Sequence, residues 1–151
     1  MAYQFHLLQT SRENISRLLQ GLSLSQLNHI PAGFRNNLLW NAGHLLATQQ
    51  LLLYGLSGRE LLLPDTFIES FRKGTQPEGK YDADMAEFIK GKLLPTAQQA
   101  AIDYERGLFQ TFTPYQTSYG VELKDFSQAL QFVNVHEGLH LGYMMAMAKG
   151  V

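Results

Sequence analysis

His136 and His140 lie four residues apart in the segment FVNVHEGLHLGYM. In a helix that spacing puts both imidazoles on one face about a turn apart, where they can share one metal ion. The residues HEGLH also fit the HExxH motif, in which Glu137 would be the general base of a zinc peptidase. Such enzymes take a third ligand from downstream, but only eleven residues follow His140 and none is His, Asp or Glu. The third ligand is therefore expected upstream. His44 is the candidate, because it lies in the middle of Leu38 to Leu56, nineteen residues without a formal charge. His6 and His29 fall near predicted helix ends and are expected at the surface. There is no Cys, so a transition-metal site here must use imidazole and carboxylate donors. Three neutral imidazoles leave positions open for water, which is the donor count of catalytic rather than structural zinc sites.

Such a site needs two facing helices. Phe5, Leu8, Ile15, Leu18, Leu19 and Leu22 recur at helical spacing and predict a first helix over residues 3–20, stopped by Gly21 in a left-handed conformation. Ser23 with Gln26 has the form of a capping box, but Pro31 and Gly33 leave room only for a short connector. Asn36 to Tyr54 predicts a second long helix with a broad apolar surface, closed by Gly55 and Gly58. Residues 57–81, with Pro64 and Pro77, predict a long crossover containing a capping box from Thr66 to Glu69. Asp82 should cap a third long helix reaching Phe109, kinked or split at Pro95. Thr113 to Lys124 is expected to be loop, with a short strand-like run at Thr117 to Leu123. Asp125 with Gln128 starts a last helix carrying Val133, His136, Leu139, His140 and Tyr143. The expected architecture is all-α, an up-down four-helix bundle with a long crossover connection, in a single domain over residues 1–151.

Composition narrows the function. Charged residues are only 17% against 45% hydrophobic, a thinner charged surface than is usual, from which a homodimer is expected. Twelve Lys plus Arg against thirteen Asp plus Glu, with no basic run, exclude nucleic acid as an expected partner. Leu38 to Leu56 has the length of a membrane span, but Asn41, His44, Thr48, Gln49 and Gln50 within it argue for a helix buried in a bundle. The opening residues lack the basic flank and apolar core of a secretory signal, so a cytoplasmic location is expected.

The blocks PAGFRNNLLWNAGHLL from residue 31 and FVNVHEGLHLGYM from residue 132 resemble the DinB-like metal-binding four-helix bundles. That family is similar in its Asn-x-x-Trp-x-x-x-His run, here Asn37, Trp40 and His44. It is similar also in its His-x-x-x-His-x-Gly run, here His136, His140 and Gly142. The resemblance spans the chain in length and order of elements. It implies one divalent metal, zinc or nickel, held by the three His, and a family setting that includes thiol S-transferases and isomerases using small thiols. The expectation is a metal-dependent enzyme, an S-transferase or hydrolase, acting on a small-molecule substrate or with a thiol cosubstrate. A non-catalytic metal-binding or dimeric interaction protein is the alternative, with the zinc peptidase third. Asn37, Trp40, Asn41, Thr48 and Tyr143 are candidates to line a pocket or orient ligands, and Glu137 is a candidate catalytic base.

Overall fold

Six α-helices form where the apolar spacing demands them, in a computed structural model that describes residues 1–151. Helix α1 (Ala2–Gln20) buries the stripe Phe5, Leu8, Ile15 and Leu19. Gly21 stands at φ −79°, so this helix ends without the left-handed cap expected of it. The short α2 (Leu24–Asn28) carries the Ser23–Gln26 capping box in full. Helix α3 (Leu38–Gln49) starts after Asn37, whose Oδ1 accepts the Trp40 N–H at 2.8 Å, and it widens into a π-helix over Gln50–Gly55. Gly58, at φ +67°, then turns the chain away.

The crossover contains α4 (Asp65–Phe71). It begins directly after Pro64, so Thr66 already lies inside the helix and cannot cap it, and Glu69 pairs with Arg72 at 2.7 Å instead of closing a capping box. Helix α5 (Ala83–Glu105) is capped by Asp82 and runs unbroken through Pro95. Pro95 offers no N–H to the Gly91 carbonyl, but both residues are exposed and water takes up the loss. The helix stops short of Phe109 because Gly107, at φ +72°, reverses the chain. Strands β1 (Tyr115–Gln116) and β2 (Glu122–Leu123) pair antiparallel in a small hairpin within the expected loop, with Tyr115 opposite Leu123. Helix α6 (Phe126–Met147), capped by Asp125, completes the bundle.

Both α1 and α3 pack against α5 and α6, so α1 and α3 lie across one diagonal of the bundle and α5 and α6 across the other. Two long helices consecutive in the chain are therefore diagonal partners, and the crossover carries the chain from α3 to its neighbour α5. The core falls into two apolar clusters, one around Leu45, Phe71, Ile89 and Met144 and one around Phe5, Leu53, Ala97 and Leu130. One buried polar residue from each long helix lies between them in the chain: Arg12 between Leu8 and Ile15, Gln49 between Leu46 and Leu52, Thr96 between Leu93 and Ala97, and Glu137 between Val133 and Met144. No helix is long and apolar enough to cross a membrane.

Candidate metal centre

The three histidines meet where α3 packs beside α6. One ring nitrogen from each of His44, His136 and His140 lies within 4.8 Å of the other two. The ring centroids are 5.1 Å apart for His44 and His136, 5.0 Å for His44 and His140, and 4.4 Å for His136 and His140. His44 is buried, and the two α6 imidazoles are half-buried.

Neighbouring oxygens set two of the tautomers. His44 donates its Nδ1–H to the Phe71 carbonyl at 2.8 Å, and His140 donates its Nδ1–H to Asn41 Oδ1 at 2.8 Å. The Asn41 amide is oriented for this role, since its Nδ2 donates to the Asn37 carbonyl at 2.8 Å. Both imidazoles then carry the lone pair on Nε2, the form in which His binds a metal, with only a long contact from the Thr48 hydroxyl at His44 Nε2, 3.4 Å away. Trp40 lies flat against His44, with centroids 4.8 Å apart and planes 8° from parallel, and donates from Nε1 to Thr75 Oγ1 at 3.1 Å.

The Phe71 carbonyl reaches His44 because α4 lies close on α3. A side chain at Gly43 would bring a Cβ within 2.6 Å of Phe71 Cε1, so the contact depends on glycine.

The electrostatics suit the same purpose. Burial, and then the neighbouring His140, His44 and Arg12, push the His136 imidazole down to about 2. Burial followed by His44 brings His140 down to about 4. Burial lowers His44 as well, opposed by its bond to the Phe71 carbonyl. The whole cluster is neutral near pH 7, as metal ligation requires. Three neutral imidazoles, two of them locked in the ligating tautomer, fit a divalent transition metal.

Glu137 stands elsewhere. It is buried, and both its oxygens are taken by Arg12, which donates from Nε to Oε2 at 2.8 Å and from Nη2 to Oε1 at 2.6 Å. Burial raises the carboxyl, and the adjacent guanidinium opposes the rise. The remaining Arg12 donors reach the Leu45 carbonyl at 3.0 Å, Gln49 Oε1 at 3.4 Å and the Leu93 carbonyl at 3.5 Å. The carboxylate that HExxH would use as a base is thus occupied in an ion pair inside the bundle.

A cavity of about 460 Å³ opens beside the histidines and includes His44, His136, Thr48 and Phe132 in its lining. Three of the other candidates to line a pocket or orient ligands lie outside the cavity wall. Asn37 caps α3, Trp40 backs His44, and the half-exposed Tyr143 packs edge-on against Phe34 at 4.9 Å. None of the three lines the cavity. Thr48 does, with its hydroxyl 3.4 Å from His44 Nε2. His6 and His29 are exposed, away from the cluster.

Sequence reasoning missed Arg12, Lys73 and the hairpin residues Tyr115 and Tyr119. Arg12 left a trace, a charged residue at a helical position of the stripe between Leu8 and Ile15. Lys73 and the hairpin left none, since loop residues reach the cavity only through tertiary packing.

A family model described as the DinB superfamily matches residues 7–144. No curated protein matches the chain.

Proposed function

Because the chain belongs to the DinB superfamily and its three imidazoles converge beside a cavity, we propose that it is a metal-dependent enzyme acting on a small molecule. Thiol transfer and hydrolysis are the proposed reaction classes, and zinc or nickel the proposed metal. The observation that carries this reading is that two of the three candidate ligands, His44 and His136, are themselves cavity wall. A purely structural ion would be enclosed by four protein ligands, whereas here the donors face a space large enough for a small ligand.

His44 and His140 present Nε2 in tautomers set by Phe71 and Asn41, so little reorganisation accompanies ligation. When bound, the ion supplies Lewis-acid activation of a thiol or a water. Thr48 offers a hydroxyl beside His44 to orient what enters, and Leu51, Leu52 and Phe132 keep the space apolar. A second reading, metal binding without turnover, draws support from the lack of any carboxylate on the cavity wall.

The test is metal content by mass spectrometry on tag-free protein purified without chelators, comparing the parent with His44→Ala and His140→Ala. Rates of cysteine conjugation to chlorodinitrobenzene and of 4-nitrophenyl acetate hydrolysis are read with and without metal. About one ion per chain, lost in both variants, with either rate dependent on metal, is the expected result. One ion with neither rate favours the binding protein, and no ion even after reconstitution overturns both readings.

A further inference from the structure

The cavity wall carries a single charged side chain. Of its fourteen lining residues only Lys73 is formally charged, and none is Asp or Glu. Lys73 is exposed and takes no part in the ion pairs of the molecule, which join Arg12 to Glu137, Arg72 to Glu69, Lys90 to Glu87 and Lys124 to Glu122. Lys73 thus lines the cavity without a counter-ion from the protein.

The chain fixes how far this charge stands from the histidines. Lys73 follows Phe71 by two residues, and the Phe71 carbonyl is hydrogen-bonded to His44. Two residues extend at most about 7 Å, so the Lys73 backbone stays close to the imidazole cluster and its side chain reaches from the rim. The apolar part of the wall is Leu51, Leu52, Leu56, Phe132 and Leu139, and hydroxyl-bearing residues of α3 and the hairpin make up much of the rest. A volume of about 460 Å³ lies within the range of small-molecule sites.

We propose that the ligand of this cavity is a small amphipathic anion, with one carboxylate- or sulfonate-type group on Lys73 and an apolar body along the leucine and phenylalanine wall toward the histidines. The assignment deepens the proposed function and rests on reading the cavity as the substrate site. A cationic ligand meets no carboxylate there, and a wholly apolar one makes no use of the ammonium. Lys73 then determines specificity without touching the reacting end.

The proposal is tested with metal-free protein, so that an anion binding to metal cannot imitate it. Trp40 is the only Trp and stacks on His44, which makes its fluorescence a local reporter. Octanoate, octan-1-ol and octylamine share one chain and differ in charge, and each is titrated into the parent, Lys73→Met and Lys73→Arg. Octanoate should bind the parent roughly three- to tenfold more tightly than octan-1-ol, the scale of a partly exposed charge-assisted contact, with octylamine weakest. Lys73→Met should bring octanoate to the level of the alcohol, and Lys73→Arg should restore the preference. Equal binding of octanoate and octan-1-ol, an unchanged preference in Lys73→Met, or no binding of any of the three overturns the proposal. An octanoate preference that appears only after zinc loading and survives Lys73→Met also overturns it, placing the anion on the ion. Absence of metal from the protein leaves the octanoate preference of the metal-free chain intact, so a failed metal centre and a failed Lys73 site give different results.

Discussion

Burial keeps the His44, His136 and His140 imidazoles unprotonated in the folded chain, whereas in the unfolded chain they titrate near the ordinary histidine value of about 6.5. Below that pH the unfolded chain binds protons that the folded chain refuses, so stability falls as pH falls. The loss for His140 is complete only near its folded value of about 4, and for His136 near about 2. Each histidine contributes up to about 1.4 kcal/mol per pH unit within its window. Metal-free protein should therefore show a urea midpoint that drops steadily from pH 7 to pH 4.5. A variant with all three histidines changed to Gln should show a much flatter dependence, and equal slopes for the two proteins would remove the histidines as the cause. At this scale the grouping was largely legible: the four-residue spacing and the charge-free helix mark the three histidines that meet. The acceptors that set their tautomers were not equally so. Asn41 could be placed near His44 along one helix, but its bond to His140 crosses ninety-nine residues of sequence, and a backbone carbonyl such as that of Phe71 has no signature in any residue type.

Helix α4 is short, yet it is the element that supplies the His44 acceptor, and its approach to α3 is set by the missing side chain at Gly43. Alanine is a better helix former than glycine by roughly 1 kcal/mol, so an open glycine in a helix gains stability on substitution. Gly91, exposed on α5 with nothing near its Cβ position, is such a site. At Gly43 the new methyl would lie 2.6–2.7 Å from carbons of the Phe71 ring, and the ring, buried against Phe67 and Tyr81, has nowhere to move. Gly43→Ala should cost about 1–3 kcal/mol and, by pushing the Phe71 carbonyl off His44, weaken metal affinity by about tenfold or more. Gly91→Ala should be neutral or stabilising with unchanged affinity. Thermal melts and a competitive zinc titration on both variants decide it, and a Gly43→Ala protein that matches the parent in both would mean that α4 adjusts freely. The long helices were legible from their apolar spacing because a bundle buries one face of each. Details of the ends were less so: Pro95 passes through α5 because its lost bond faces water, and Gly21 ends α1 in a right-handed conformation.

Across the whole molecule, the polar residues of the four long helices join two apolar clusters into one bundle. Arg12 alone binds groups on the three other long helices, the Leu45 carbonyl and Gln49 of α3, the Leu93 carbonyl of α5 and Glu137 of α6. Gln49 donates in turn to the Thr96 carbonyl at 2.9 Å, and Thr96 Oγ1 donates to Gln49 Oε1 at 3.2 Å. The expected bundle is the one observed, but this layer escaped prediction because its partners lie as far as 125 residues apart in the chain. Taking an arginine and a glutamate fully out of water costs several kcal/mol, which their attraction repays only while both are present. Arg12→Met alone, or Glu137→Leu alone, should therefore destabilise the fold by about 3–5 kcal/mol, each leaving a buried charge without its partner. The double variant removes both charges and should be more stable than either single variant in urea unfolding. The layer also abuts the three-histidine cluster, since Arg12 holds the carbonyl next to His44 and Glu137 adjoins His136 in sequence. A hydrophobic pair fills the same space without directional bonds, so α3 and α6 lose a constraint on their register. The double variant should thus recover much of its stability while binding zinc more weakly than the parent. Full recovery of both would make the ion pair a neutral alternative to packing; recovery of neither would mean that the remaining donors of the layer, Gln49 and Thr96, cannot be satisfied without it.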